Sequence, residues 1–181
     1  MIHKILKVTL LAIIFPAFIF SCEEDTGPEG QDQAVRDNIV ILDYFEENDI
    51  TEYESTESGM YYIVETEGAG STVPDEAIVK VHYTGSLLYG NVFDSSVYRD
   101  EPFEFQATTG RIVSEYDEDG EPVFSGTVID GWIEAVSLMK LGEKTRFYIP
   151  SALAYKERGS GSIPGNSVIY FDIELLEILP L

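Results

Sequence analysis

Apolar residues along this chain change their spacing from segment to segment, and each change marks an element. The first segment has no period: Val8 to Phe20 is a nearly unbroken apolar run behind Lys4 and Lys7. At about 13 residues it has the size of a signal-peptide core and falls short of the roughly 20 that a spanning helix needs. Residues 23–33 are polar around Gly27-Pro28-Glu29-Gly30 and read as a flexible tether. Val35, Ile39, Leu42 and Phe45 then recur at helical spacing, with Arg36, Asp37, Asp43 and Glu46 on the other faces. That predicts a helix of about 15 residues, and its acidic end, Glu46 to Asp49, opposes the helix dipole and should fray. The default is that it packs on the following domain; a second copy of itself, or a client protein, is the alternative partner.

From Gly59 the period becomes two. Met60, Tyr62 and Val64 alternate with Tyr61, Ile63 and Glu65. In Ile78–Thr84 the alternation is cleaner, with Val79, Val81 and Tyr83 on one face and Lys80, His82 and Thr84 on the other. Tyr83 therefore points with the core valines, and its hydroxyl must find a buried partner. Residues 131–139 return to helical spacing through Trp132, Val136 and Met139, with Asp130 as N-cap and Gly142 as stop signal. Thr145, Phe147 and Ile149, then Ile169, Phe171, Ile173 and Leu175, resume the strand period. Half-buried strands with one short amphipathic helix give the α+β class: an antiparallel sheet wrapped on that helix.

Charge narrows the partners. The chain carries 33 acidic and 11 basic residues, for a formal net charge of −22. Such a surface repels phosphate backbones, which excludes nucleic acid as a partner. Cys22 is the single cysteine, so no internal disulfide can form. It follows Ile19-Phe20-Ser21 at the end of the apolar run, where a small residue and then cysteine resemble a bacterial lipobox. Residues 1–21 thus read as a signal peptide, with Cys22 lipidated and the mature chain held to the envelope, outer membrane preferred, by lipid alone.

No hydrolytic or phosphate-binding constellation is present, and no cofactor or metal is expected: His82, the one histidine of the mature chain, falls on the outward face. What recurs is aromatic and aliphatic surface near isolated polar groups. A core is the ordinary reading of each aromatic, but Asp94 fits a core poorly, because an apolar setting penalises an unpaired carboxylate. Arg99 and the Tyr83 hydroxyl are its evident partners, and a network of that kind suits a pocket wall.

Taken together, Val81-His82-Tyr83-Thr84-Gly85, Phe93-Asp94-Ser95-Ser96, Arg99, Phe103, Val128-Ile129-Asp130-Gly131-Trp132, Ile149-Pro150, Leu153-Ala154-Tyr155 and Ile169–Leu176 resemble the FKBP family of peptidyl-prolyl cis/trans isomerases, the macrolide-binding immunophilins. The likeness runs from about Ser58 to about Ile178. It implies a strongly curved antiparallel sheet half-closed around a short helix (residues 58–181, behind a helix and linker at 34–57), with the active site between them. It implies X–Pro polypeptides as substrates, macrolides as inhibitors, and for exported relatives dimerisation through N-terminal helices. Tyr83, Asp94, Trp132 and Tyr155 would be catalytic, with Trp132 as the floor under the proline ring. Phe93, Arg99, Phe103, Val128, Ile129, Ala154, Ile163 and Phe171 would bind substrate, the Ile129 amide and Tyr155 hydroxyl holding its carbonyls.

The chain departs from the family pattern in places. Lys156 stands where glycine usually follows the tyrosine, and the loop Glu157–Ser162 is short. The largest departure is an insertion of roughly 15 residues, at about 106–126, in which Arg111-Ile112-Val113, Asp119-Gly120 and Pro122-Val123-Phe124 predict a hairpin. It is either a client-binding flap or a decoration, and decoration is the preferred reading. An exported isomerase is the leading function. A non-catalytic chaperone of the same fold, or a structural surface lipoprotein, is the rival.

Overall fold

The computed structural model describes residues 32–180; the apolar run, Cys22 and the tether up to residue 31 lie outside the described residues. Helix α1 (Gln33–Glu47) is capped by the Asp32 carboxylate, which accepts from the Ala34 amide at 3.4 Å. Its buried face is Asp37, Ile41 and Phe45, one residue in each successive turn. Of the predicted stripe only Phe45 is fully buried, whereas Val35 and Ile39 are exposed. The stripe is rotated because Asp37, assigned to the polar side, finds buried donors on the domain. The acidic end does not fray open. The Ile50 amide bonds to the Phe45 carbonyl at 2.9 Å and the Asp49 amide to that of Glu46 at 3.3 Å, with Asp49 at φ 55°. These are the bonds of a Schellman stop, and they satisfy the terminal carbonyls that the charge pattern left in question.

Nine strands follow among the described residues: β1 (Glu54–Ser55), β2 (Tyr61–Thr66), β3 (Ile78–Leu87), β4 (Val92–Ser95), β5 (Phe103–Gln106), β6 (Arg111–Tyr116), β7 (Pro122–Thr127), β8 (Lys144–Ile149) and β9 (Ile169–Leu179). The one-turn helix α2 (Ser96–Arg99) follows β4, and α3 (Asp130–Leu138) precedes β8. The sheet is antiparallel in the order β1-β2-β8-β9-β3-β5-β6-β7, with β4 paired to β3. Register shifts at Val64/Thr66, Lys80/Val81 and Gly85/Ser86 mark bulges, which bend a strand and raise its twist.

The main core lies between this sheet and α3. Trp132, Ala135, Val136 and Met139 pack there with Val79, Val81, Phe147, Ile149, Ile169, Ile173 and Leu175, the inward set of the period-two reading. Two details of α3 differ from expectation. Ile129 is the cap, making no side-chain bond, while Asp130 is the first helical residue, where its charge complements the dipole. The helix ends at Leu138, and Gly142, at φ 84°, serves the turn into β8.

A second, smaller core occupies the opposite face. Ile41 and Phe45 pack on Leu88, Tyr148 and Val168, flanked by Tyr61, Ile63 and Tyr170. This explains why Tyr61 and Ile63 are as buried as their neighbours on β2, and why Tyr148, an outward residue by parity, is fully buried. Beyond the reach of α1 the outer face is charged: Arg146 bonds Asp172 at 2.6 Å, Lys144 bonds Glu65 at 2.7 Å, and Lys80 meets Glu104 at 3.1 Å.

Candidate active site

At one end of the main core the sheet and α3 diverge around a cavity of about 280 Å³. It is lined by Tyr83, Phe93, Asp94, Phe103, Ile112, Thr127, Val128, Ile129, Trp132, Tyr155 and Phe171. Nine of these were predicted from sequence. The elements deliver them separately: β3 gives Tyr83, β4 gives Phe93 and Asp94, β9 gives Phe171, and the entry to α3 gives Val128 through Trp132.

Trp132 is 4% exposed and sits at the centre of an aromatic cage. Its ring meets Tyr83 at 4.8 Å and 82°, Phe171 at 5.0 Å and 90°, and Phe103 at 5.6 Å and 88°. Edge-to-face pairs of this kind are the geometry that ring quadrupoles favour. Gly85 makes room for the wall. A Cβ there would stand 2.4 Å from the Phe171 ring and 2.8 Å from that of Phe93.

Asp94 enters on the polar side. The Tyr83 hydroxyl donates to its Oδ2 at 2.5 Å, and Arg99 donates to Oδ1 while also reaching the Tyr83 hydroxyl at 3.1 Å. The motif around Asp94 fixes this triangle. Ser96 Oγ accepts the Tyr83 amide at 2.8 Å, Ser95 Oγ meets Thr84 Oγ1 at 2.9 Å, and Asp94 pairs with Gly85 across the strands. Burial, the largest influence on Asp94, raises its pKa. The bonds from Tyr83 and Arg99 outweigh it, so the carboxylate stays below its ordinary value. Burial and then the Asp94 bond push the Tyr83 hydroxyl up to about 12. Burial also raises Tyr155, whose hydroxyl makes no hydrogen bond among the described residues.

The remaining predicted site residues divide. Arg99 lies on the rim, lining a neighbouring cavity of about 370 Å³ that shares the Phe103 wall. Ala154 and Ile163 are buried in the main core, in the same cluster as Tyr83, Trp132 and Phe171, and are not among the residues lining the cavity; Ile163 pairs with Ser160 through an isolated bridge. Lys156, at the glycine position, adopts φ 55°, and its ammonium reaches Asp130 at 3.3 Å. The Ile129 amide has no partner among the described residues, while that of Val128 is bound to the Gly110 carbonyl at 2.9 Å.

Ile112 and Thr127 were not foreseen. They stand at the base of the β6–β7 hairpin, which joins the sheet through the Phe105–Ile112 pair. The hairpin therefore forms part of the cavity wall, against the preferred reading of it as decoration. A Cβ on Gly110, which sits at φ 68° before β6, would lie 2.9 Å from Val128 Cγ2. The one sequence signal was position, immediately ahead of Val128.

Comparison with known proteins gives the same picture. Residues 70–176 match the family model for FKBP-type peptidyl-prolyl cis-trans isomerases. The chain is 47% identical over 138 residues to the FKBP-type 22 kDa peptidyl-prolyl cis-trans isomerase of Escherichia coli K12, covering 75% of this chain and 58% of that protein. It is 48% identical over 124 residues to the isomerase FkpA of Aeromonas hydrophila, covering 68% of this chain and 40% of the other. The chain thus spans about half the length of these relatives. The crystal structure of FkpA from Escherichia coli superposes with a TM-score of 0.62 at 32% identity, over 81% of this chain and 61% of that one. Because the matched segment carries every residue of the cavity, from Tyr83 to Phe171, the chain is a member of the FKBP-type peptidyl-prolyl cis-trans isomerase family.

Proposed function

We propose that this protein catalyses cis/trans isomerisation of X–Pro bonds in exported polypeptides. The observation that carries the reading is the aromatic cavity over Trp132 with one oriented carboxylate at its edge. Rotation about a peptide C–N bond meets a barrier of about 18–20 kcal/mol. Millisecond turnover requires lowering it by roughly 6–7 kcal/mol. In the twisted amide the carbonyl loses resonance and dipole, so an apolar cavity favours the twisted form over the planar one. Trp132 forms the floor for the proline ring, and Tyr83, Phe93, Phe103, Val128, Ile112 and Phe171 form its walls. The Ile129 amide and Tyr155 hydroxyl are donors for flanking carbonyls, and both are without another partner among the described residues. Tyr83 and Arg99 hold Asp94 ionised and aimed at the twisting carbonyl.

Macrolides that present an apolar ring and two carbonyl acceptors suit the same cavity and would compete with clients. Cys22, behind its apolar run and Ser21, carries the lipid anchor in this reading, and the polar tether leaves the domain free of the envelope surface. No helix among the described residues is long and apolar enough to cross a membrane. A homodimer through α1 would use Val35, Ile39 and Val40, since Ile41 and Phe45 are occupied by the domain.

An X–Pro peptide assay tests the activity, with Trp132→Ala and Asp94→Ala as controls. A protein that binds unfolded clients but leaves peptide exchange at the uncatalysed rate would be the chaperone of the rival reading. Cys22→Ser in a bacterial host tests the anchor: release into the soluble fraction, or retention of the uncleaved signal, is expected. A variant both cleaved and membrane-bound would contradict lipidation.

A further inference from the structure

Asp37 is the most buried acidic residue among those described, at 2% exposure, and the isomerase reading gives it no role. Its Oδ2 accepts two bonds from Ser151, one from the amide at 2.7 Å and one from the hydroxyl at 2.6 Å. Its Oδ1 accepts from Gln33 Nε2 at 2.6 Å. Ser151 is 1% exposed and follows Pro150, which has no N–H, so its amide is the first donor of the 3-10 turn Ser151–Leu153. That turn closes through Leu153 to the Pro150 carbonyl at 3.0 Å and Ala154 to that of Ser151 at 3.1 Å. The next residue is Tyr155. Its hydroxyl has no protein partner among those described, so the ring is aimed from its backbone end and not from its tip.

We propose that Asp37 is a positioning residue: by capping the Ser151–Leu153 turn from α1, it sets where the Tyr155 hydroxyl stands in the cavity. A carboxylate is suited to this, because charge-assisted bonds to buried donors are shorter and about twice as strong as neutral ones. The N-terminal helix is then a working part of the site. The role is separable from simple adhesion, since α1 is also held on the domain by the apolar contacts of Ile41 and Phe45 and by the bond that the Tyr61 hydroxyl donates to Asn38.

This inference rests on the isomerase reading, and the experiment separates their failures. kcat/KM for an X–Pro peptide is measured on the full chain and on Asp37→Ala, Asp37→Asn, Ser151→Ala, Tyr155→Phe and Asp37→Asn/Tyr155→Phe, each shown folded by circular dichroism. Asp37→Asn should lose about five- to tenfold, and Ser151→Ala, which keeps the amide bond, a smaller factor. In the double variant the loss should equal that of Tyr155→Phe alone, because both act through one hydroxyl. Losses that multiply, or an Asp37→Asn protein with full activity, would overturn the proposal. Should Asp37→Ala fail to fold, Ser151→Ala carries the test. If the parent chain is inactive, the isomerase reading falls, and ring resonances of Tyr155, assigned by difference from Tyr155→Phe, decide the positioning. They should shift in Ser151→Ala, and resonances that stay in place would contradict it.

Discussion

Asp94, Tyr83 and Tyr155 are the titratable groups that face the cavity, and their shifts run in opposite directions. Asp94 is held below 3.8, while Tyr155 is raised above 10 and Tyr83 reaches about 12. No group in the wall therefore changes charge near neutrality, and kcat/KM should be flat from about pH 5 to about pH 9. A bell with a limb near pH 6 or 7 would place another acid or base in the mechanism. Asp94→Ala should lower turnover with little loss of stability, because its carboxylate is 43% exposed and its pairing with Arg99 is screened by solvent. Trp132→Ala should lose activity and also about 3–5 kcal/mol of stability in denaturant melts. The Asp94 network was legible in the sequence, since strand parity placed Tyr83 with the core valines and left its hydroxyl in need of a partner. Asp37 was not, because a charged residue on an amphipathic helix is assigned to solvent unless its partner is known, and Ser151 lies 114 residues away.

Two elements, α1 and the hairpin, extend the domain: α1 packs on it, the default its amphipathic period set, and the hairpin reaches the cavity wall, which its sequence did not show. The amphipathic period identified α1, but the choice of face turned on Asp37 and came out rotated. Phe45→Ala should cost about 3–5 kcal/mol, as for a residue of a main core, since the ring packs at 4.7 Å on Tyr148 and 5.6 Å on Tyr61. A loss near zero would mean that α1 sits loosely on the sheet. The β6–β7 hairpin was legible from its alternation and its Asp-Gly turn. Its share in the cavity was not, because that depends on the register of Ile112 against Phe105, which no local pattern encodes. Gly110→Ala should both destabilise the protein and reduce kcat/KM, since the position has positive φ and a Cβ would press on Val128. Replacing residues 114–121 by a two-residue turn should leave peptide turnover intact, because Ile112 and Thr127 remain in place; loss of small-peptide activity would extend the substrate site to the hairpin tip.

At the scale of the whole molecule, two cores on opposite faces of one sheet hide phenols that titrate late. Burial, the largest cause at both, brings Tyr83 and Tyr148 to about 12, against 10.0 in the unfolded chain; the Asp94 bond adds to it at Tyr83, whereas the Arg146 guanidinium opposes it at Tyr148. Between about pH 10 and pH 12 the unfolded state loses phenolic protons that the folded state keeps, so it binds fewer protons and stability falls as pH rises. Thermal melts should show Tm dropping across that window, less steeply in Tyr148→Phe. The fold class followed from periods of 2 and 3.6 alone, whereas strand order came only with the family likeness, because pairing between distant strands leaves no local trace. The most direct test of the central claim is the exchange rate of a short X–Pro peptide, followed by NMR, in the presence of the purified protein. A rate raised by orders of magnitude, unchanged by a chelator and abolished by Trp132→Ala, is the predicted result. An exchange rate equal to that of peptide alone, from a folded protein, would contradict it.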